Sequence, residues 1–580
     1  MLAFNFMIMK KRRLIYIVYG ALVFSVVSCS KSFLERNPQA ELTYPQIESK
    51  EGVDGLLVGA YALLNGNVDG TWGNYASAPS QWLLGEVAAD NAHKGSNNGD
   101  QPNMNLIEQH KPTSTNDNLQ VLWDRSYDGI VRCNNTLRVL AQLQAGSGDK
   151  FDEARASQIA GEARFLRAHY YFLLKRAFVN VPYVDDTITP ADAVTLPNDA
   201  DINPKIEEDL KFAVENLSDK YNGEEGRADK VAAQAYLGKF LLYQDRYAEA
   251  LPLLQAVIAS KPNIKSLPFT DNFDIAEENG PESIFAAQHA ISPDGTGDNG
   301  NVGDMLNFFY GSAPISCCGF FQPSFDLVNS FRVTPEGLPM LDGSYRDDPY
   351  LSDFGLTGAA KTSYEVDKTL AIDPRLDYTV GRRGVPFRDW GNMQGDAWIR
   401  DPGFAGPFVG MKHTIEQSQF ASNTVAGAQQ ITGLNVNIIR LADVYLMAAE
   451  CQVETGNLDA ALTLVNDVRA RAALLAPKQV NGEAVATYNV KPYAAFPNAE
   501  YARNAVRFER RLELALEGHR FYDLVRWGTA KQVLESYSGF EGKYLSISRN
   551  VIFQPQNEYY PIPQDEIDRS GGALKQNTGY

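Results

Sequence analysis

The chain has 580 residues, enough for a large core, and its 53 basic and 71 acidic side chains give a net charge of −18. Removing residues 1–28 would take away four basic groups and lower that charge by four, to −22. Such a surface repels phosphate backbones, which excludes nucleic acid as a partner. Aromatic residues make up 11% of the chain, and that share suits both core packing and stacking on sugars.

The N-terminus has the features of a secretory leader. A basic cluster at residues 10–13 precedes an uncharged run at residues 14–27, and Ser28 leads into Cys29. The run is shorter than the roughly 20 apolar residues that a membrane-spanning helix needs. Because a small residue followed by cysteine resembles a bacterial lipoprotein cleavage site, we predict a signal peptide over residues 1–28 and lipidation at Cys29. The chain would then be tethered to a membrane by lipid alone; the alternative is cleavage elsewhere with loss of Cys29.

Helical periodicity dominates most of the remaining chain and predicts a mainly α fold. The predicted helices cover residues 53–64, 119–143, 153–178, 205–217, 230–243, 247–260, 503–517 and 519–536. Two hairpins, at residues 230–262 and 440–472, place small and apolar residues at the offsets of tetratricopeptide repeats. They are too far apart for a tandem array, so we expect tertiary folding to stack them within one interleaved domain.

Residues 261–436 differ in kind, being rich in Gly, Pro, Asp, Asn and aromatic residues. Loops this long inside a compact domain are usually functional. We therefore predict that the mature chain, residues 29–580, is one domain. In it, residues 44–260 and 437–580 form a helical scaffold, and residues 261–436 form an inserted, loop-rich ligand-binding region.

No pattern of residues predicts catalysis. Glu513 and Glu517 lie four apart on one predicted helix face and could act as an acid/base pair, but Arg510, Arg511 and Arg520 nearby favour structural ion pairs. No nucleophile elbow or P-loop occurs in the sequence. Glu86 is predicted to belong to the scaffold.

The sequence also predicts no metal site or cofactor. The six histidines form no close metal-binding pair, and His169 and His519 fall in apolar helical stretches typical of core histidines. Oxygen-bearing side chains in a glycine-rich loop could hold calcium, but the closing glutamate of an EF-hand is missing and a solvated turn is favoured. These side chains are Asp294, Thr296, Asp298 and Asn301. Among the cysteines only Cys317 and Cys318 are close, and no disulfide framework follows.

Aromatic side chains in loops, flanked by amides and carboxylates, are suited to binding sugars. Two regions offer this mixture, one between residues 69 and 98 and one within the loop-rich segment. The candidate glycan-binding residues are Asp69, Trp72, Tyr75, Asn98, Tyr310, Arg388 and Trp390. Taken alone, an aromatic ring is more often packed in the core than presented to a ligand, and Trp72, Tyr310 and Trp390 are favoured here because they lie in loops flanked by Gly, Asn and Asp.

Several motifs, occurring in order along the chain, together resemble the RagB/SusD family of outer-membrane nutrient-binding lipoproteins. They are residues 161–172 (GEARFLRAHYYF), 373–376 (DPRL), 439–450 (IRLADVYLMAAE), 466–472 (NDVRARA), 509–528 (ERRLELALEGHRFYDLVRWG), 559–563 and 576–580. The resemblance implies a tetratricopeptide-like helical fold carrying a loop-rich ligand-binding subdomain. It also implies a partner, a SusC-like TonB-dependent outer-membrane barrel to which captured oligosaccharides are delivered. Glycan contacts vary within the family, so they cannot be transferred by motif.

Three functions remain open at this point. The first is a non-catalytic, surface-exposed glycan-binding lipoprotein that docks on an import barrel. The second is a surface glycoside hydrolase with paired carboxylates across a cleft. The third is a helical scaffold that binds only protein.

Overall fold

The computed structural model describes residues 47–67, 73–220, 224–292, 299–312, 315 and 317–580. In its N-terminal half, the helix Glu153–Phe178 packs against the helices Asp117–Ala145 and Asn203–Asn216, and Asn203–Asn216 packs in turn on Lys230–Leu242. Polar caps begin several of them; Asp152, for example, accepts a hydrogen bond from the Arg155 amide. The helices of this half are α1 (Lys50–Ala62), α2 (Pro102–Glu108), α3 (Asp117–Ala145), α4 (Glu153–Phe178), α5 (Pro190–Ala193), α6 (Asn203–Asn216), α7 (Lys230–Leu242) and α8 (Tyr247–Ser260), with a π-helical turn at Trp82–Val87.

The middle of the chain consists of short elements joined by loops. Its helices are α9 (Phe325–Ser330), α10 (Gly358–Thr362), α11 (Leu376–Thr379), α12 (Pro402–Ala405) and α13 (Gln417–Phe420). The strands of the molecule are β1 (Ala92–Gly95), β2 (Ser283–Ala287), β3 (Phe320–Pro323), β4 (Ala371–Ile372), β5 (Val380–Gly381), β6 (Val409–Gly410), β7 (Thr424–Val425), β8 (Ala428–Thr432), β9 (Val436–Arg440), β10 (Gln479–Val480), β11 (Glu483–Ala484) and β12 (Thr487–Tyr488).

These strands pair two at a time and tie distant segments together. β1 and β3 are antiparallel, with His93 opposite Gln322, so the loops that follow β1 and precede β3 lie at the same end of the pair. β2 and β9 are also antiparallel. The first residue of β2, Ser283, is paired with the last residue of β9, Arg440, and the last helical region begins directly after Arg440. The middle region is thus anchored at both ends to helical layers.

The C-terminal helices complete the scaffold. They are α14 (Leu441–Glu454), α15 (Leu458–Ala472), α16 (Ala499–Glu513), α17 (Arg520–Arg526), α18 (Ala530–Glu541) and α19 (Gln564–Arg569). The single helix predicted over residues 519–536 was wrong, because the chain breaks it into α17 and α18. Gly528, with φ of +65°, takes a left-handed conformation there that ends the first helix.

The two predicted hairpins are α7–α8 and α14–α15, and α8 packs directly on α14 although some 180 residues separate them. This confirms that tertiary folding stacks the two units. Within the first hairpin the helices approach closely at Gly238, where a Cβ atom would lie 2.7 Å from Leu254 Cδ2. The fold is therefore mainly α, with tetratricopeptide-like hairpins.

Candidate functional site

The carboxylates that could have served acid/base chemistry are held in a buried ionic network. Glu513 is fully buried and accepts hydrogen bonds from Arg375 Nη1 at 2.9 Å and Arg440 Nη1 at 2.8 Å, and it also pairs with Arg471. Burial alone would raise the pKa of Glu513, but these guanidinium groups outweigh it and hold the pKa well below its ordinary value. A carboxylate held ionised by three arginines is a structural group.

Glu517 is bound in the same way by Arg440, at 2.7 Å, and by Lys412, at 2.6 Å. The prediction of structural ion pairs is thereby confirmed, but the arginines predicted to pair with Glu513 and Glu517 were the wrong ones. Arg510 binds Asp443 and Asp523, and Arg511 binds Asp326 at 2.8 Å, so neighbours in sequence do not pair with Glu513. Residues on one helix face different directions, and the partners come from other segments.

Many charged residues of the motifs fall into this network or hold the same helices together. Arg469 Nη1 donates to Glu509 at 2.8 Å and Arg526 binds Glu450, while the C-terminal Asn577 donates to the carbonyl oxygens of Phe178 and Tyr560. These bonds join α4, α14, α15, α16 and α17. The motifs therefore specify how the scaffold is assembled.

Glu86 is also structural. It is fully buried and accepts hydrogen bonds from the amides of Gly518 and His519 and from Asn91 Nδ2. Burial raises its pKa to about 7, although these hydrogen bonds act in the opposite direction.

The described members of the predicted glycan-binding set do not form one group. Asp69 and Trp72 lie outside the described residues, as do Asp294, Thr296 and Asp298 of the calcium hypothesis. Tyr75 is only 5% exposed and packs in the main core, so its ring has no free face for a sugar.

The described residue of the calcium hypothesis, Asn301, is buried and donates to Asp304. Within the part of the chain that the structure describes, no cluster of three or more His, Cys, Asp or Glu side chains could hold a metal ion.

Arg388 and Trp390 are occupied by structural contacts. Arg388 donates to Glu416, to Thr414 and to the carbonyl oxygens of Phe273 and Met411. Trp390 donates its ring nitrogen to the Ile415 carbonyl oxygen at 2.9 Å and is half-buried. Four of the five N–H donors of Arg388 are thus used within the protein, and Trp390 has only part of its ring available.

Tyr310 lies in a different setting. It is 38% exposed, and no other aromatic side chain in the described ranges is exposed to that extent. Its amide donates to the Trp398 carbonyl oxygen at 3.0 Å, which fixes the loop against an aromatic cluster that contains Phe309 and Trp398. The ring is therefore held at the surface by the packed aromatic cluster beneath it.

Polar groups surround this ring. The Arg400 guanidinium carbon lies 5.1 Å from the ring centroid of Tyr310, and Arg400 Nη1 donates to Asp100 Oδ2 at 2.6 Å and to Ser96 Oγ at 2.9 Å. Asn98 is exposed in the same loop, whose carbonyl groups accept hydrogen bonds from Lys94 and Asn105. An exposed aromatic ring with a guanidinium group over one face, itself held by Asp100 and Ser96, thus lies at the end of the β1–β3 pair.

The cysteine pair borders this surface. Cys317 and Cys318 form a disulfide and are both half-buried. The next residue, Gly319, packs so closely that a Cβ atom there would lie 3.3 Å from Tyr310 Cβ and 3.6 Å from Arg400 Cβ. Ser96, Asp100 and Arg400 were not predicted from the sequence. The pairing of β1 with β3 brings the loop of Ser96 and Asp100 to this end of the molecule, and the bond between the Tyr310 amide and the Trp398 carbonyl oxygen brings Arg400 there.

Comparison with known proteins places this architecture in a family. The sequence profile of the SusD family matches residues 281–580, more than half of the chain. The chain belongs to the SusD family. A second profile, described as starch-binding associating with outer membrane, matches residues 32–242 of this SusD-family protein. No helix in the described residues combines the length and apolar character needed to cross a membrane.

Individual relatives resemble the SusD-family protein over nearly their whole length. It is 24% identical to a SusD-like protein from Formosa agariphila over 97% of this chain and 99% of the relative. A solved laminarin-binding SusD-like protein has a TM-score of 0.66 at 24% identity, covering 92% of this chain and all of that one. Surface glycan-binding protein A from Bacteroides thetaiotaomicron, solved with laminarihexaose, has a TM-score of 0.61 at 19% identity, covering 91% and 99% of the two chains.

Proposed function

We propose that the protein is a cell-surface glycan-binding lipoprotein that captures an oligosaccharide and delivers it to a SusC-like TonB-dependent outer-membrane transporter. The observation that carries the proposal is the exposed ring of Tyr310 beside Arg400 and Asp100. A sugar presents an apolar ring face to an aromatic side chain and hydroxyl groups to charged side chains at its rim. The names of the solved relatives, which bind laminarin and laminarihexaose, support a carbohydrate as the ligand.

A binding role without bond cleavage agrees with the state of the carboxylates. Glycoside hydrolysis needs one carboxyl group with a raised pKa facing an ionised one across a cleft. Here Glu513 and Glu517 are both ionised by arginine partners inside the scaffold. We therefore propose that the protein holds its ligand and has no hydrolytic activity.

The anchor and the partner belong to the same proposal. Lipidation at Cys29, which lies outside the described residues, would place the protein on the outer membrane facing the exterior. Delivery would then occur directly into the barrel of the partner. Copurification of a TonB-dependent barrel with the lipidated protein would support the predicted partner. A Cys29→Ser variant, which should be released from the membrane, separates anchoring from glycan binding: it should lose the barrel but still bind the glycan.

A glycan array with the chain lacking residues 1–29 tests the binding function, followed by calorimetry on the best ligand. We expect Tyr310→Ala to weaken binding about tenfold, since one aromatic contact with a ring contributes about 1 kcal/mol or more. Tyr378→Ala is the matched control, because Tyr378 is a half-buried tyrosine of the same region whose hydroxyl donates to the Ala476 carbonyl oxygen. Trp72→Ala and Trp390→Ala test the two remaining aromatic candidates. Absence of binding to every glycan, or equal binding by Tyr310→Ala, would contradict the proposal.

A further inference from the structure

A second concave surface lies away from Tyr310, where α16, α17 and α18 meet the loop at residues 341–346. This groove has a volume of about 370 Å³, within the size range of ligand sites. Asp90, which precedes β1, lies in its lining, whereas Ser96 and Asp100 of the Tyr310 surface follow β1. The two sites are thus at opposite ends of one strand. Four arginines line the groove: Arg346, Arg507, Arg511 and Arg520.

Three of these arginines share two buried carboxylates. Asp326 binds Arg346 and Arg511, and Asp90 binds Arg520 at 2.7 Å and Arg511 at 3.2 Å. Both carboxylates are fully buried and all their contacts are charge-assisted. Three positive groups against two negative ones leave one positive charge uncompensated in the wall.

Arg507 adds a fourth positive group, and this one has no carboxylate paired with it in the described residues. It makes no ion pair and no hydrogen bond with any residue of the described ranges, and its Nε atom is buried. Its guanidinium carbon lies 4.8 Å from the ring centroid of Trp527, so the side chain lies against an aromatic face. A desolvated guanidinium with unused donors favours an oxyanion as its ligand.

The two carboxylates that attract Arg507 electrostatically, Glu450 and Glu454, are hydrogen-bonded to other arginines. Glu450 accepts two hydrogen bonds from Arg526, and Glu454 accepts two from Arg503. One further carboxylate, Asp342, lines the groove, but it is exposed and accepts hydrogen bonds from the amide and hydroxyl of Ser344. The groove therefore remains positive on a protein whose net charge is −18.

We propose that this groove binds an acidic saccharide unit, with Arg507 donating to its carboxylate or sulfate group. The neutral side chains of Asn504, Gln532 and Ser536 line the same groove and can hydrogen-bond sugar hydroxyls. The proposal rests on the proposed glycan-binding function and extends it to a second site with a preference for anionic sugars. Neutral sugars bind at Tyr310, and acidic units of the same glycan bind at Arg507.

Calorimetric titration of the intact protein with an oligogalacturonate, its methyl-esterified form and inorganic sulfate tests this site. We expect the acidic oligomer to bind more tightly than the ester, sulfate to compete, and Arg507→Gln to weaken the acidic oligomer at least tenfold, as loss of a charge-assisted hydrogen bond predicts. The matched control is Arg503→Gln, one helical turn earlier in α16, because Arg503 pairs with Glu454 and does not line the groove.

The outcomes separate this proposal from the proposed function. Equal affinity for the acid and its ester, equal effects of Arg507→Gln and Arg503→Gln, or failure of sulfate to compete would overturn the acidic site. If Tyr310→Ala abolishes binding of the acidic oligomer while Arg507→Gln leaves it unchanged, the glycan-binding function stands and the second site falls. If neutral glycans fail to bind but the acidic oligomer binds through Arg507, the Tyr310 site falls instead.

Discussion

The side chain of Glu513 on α16 accepts a hydrogen bond at 2.9 Å from Arg375, which lies 138 residues earlier in the loop-rich region, and both residues are fully buried. Arg375 also binds Asp373 at 2.7 Å and Glu509 at 2.7 Å. One guanidinium group therefore connects the middle region to the C-terminal helices. Its role is structural, because it holds the loops that carry the candidate site against the helical scaffold.

Replacing Arg375 by alanine should destabilise the protein by about 3–5 kcal/mol. The substitution leaves three buried carboxylates without their shared partner, which is far more costly than losing an exposed pair. Chemical denaturation monitored by circular dichroism measures the change. Lys531→Ala, which removes an exposed i,i+4 pair with Glu535, is the control and should cost less than about 1 kcal/mol. Equal costs for the two variants would contradict the structural role of the network.

The network also predicts loss of stability in acid. Burial opposes ionisation of Asp443, but Arg510 and Lys239 outweigh it and hold its pKa well below the ordinary value. A carboxyl group whose pKa is lower in the folded state contributes stability that is fully present above its unfolded pKa and is lost as the pH falls through the folded value. The melting temperature should therefore drop steeply below about pH 4. Asp443→Asn, which is already destabilised at neutral pH, should show a shallower slope there than the wild type.

The hydrogen bonds of His93 predict that the protein also loses stability as the pH rises into the alkaline range. Burial alone would lower its pKa, but hydrogen bonds to Glu108 at 2.8 Å and Glu541 at 2.9 Å raise the pKa to about 9. A histidine with a raised folded pKa contributes stability that is present below its unfolded pKa, near 6.5, and is lost as the pH rises to about 9. The loss should be on the order of 3 kcal/mol. His93→Gln should flatten the stability curve in that window, and an NMR titration should find the imidazole still protonated at pH 8.

Two helical glycines should respond oppositely to substitution by alanine. At Gly238 the new methyl group would lie 2.7 Å from Leu254 Cδ2, so Gly238→Ala should destabilise the α7–α8 hairpin by about 1–3 kcal/mol. At Gly59 on α1 nothing lies within 4 Å of the added atom. Gly59→Ala should therefore stabilise the protein by about 0.5–1 kcal/mol through helix propensity. Denaturant midpoints of both variants give the signs, and two changes of the same sign would refute the close packing.

Arg400→Gln tests the rim of the Tyr310 surface. The substitution removes the contact with the ring and the hydrogen bonds to Ser96 and Asp100, so glycan affinity should fall several-fold. The melting temperature should change little, because Arg400 and Asp100 are both about 30% exposed. Arg549→Gln, which removes only a donor to the Gly542 carbonyl oxygen, is the control and should leave affinity unchanged. Wild-type affinity in Arg400→Gln would exclude Arg400 from the site.

Much of the helical scaffold could be predicted from the sequence. The helix predicted over residues 153–178 is α4 with the same bounds, and the two hairpins occur where their spacing placed them. These elements follow from local rules, because apolar periodicity and caps depend only on residues within a few turns of one another. The break between α17 and α18 was missed because a single glycine within a helical pattern does not by itself reveal a left-handed turn.

The sequence alone determined most of the long helices, their apolar faces and the membership of the SusD family, since each is recorded in local patterns along the chain. Only the tertiary structure decided that Arg375 and Arg440 neutralise Glu513, that Tyr75 belongs to the core, and that Arg400 and Asp100 meet at Tyr310. The physical reason is that these groups come from segments separated by tens to hundreds of residues. Their partners are chosen by the stacking of helices and the pairing of β1 with β3, which no local pattern specifies.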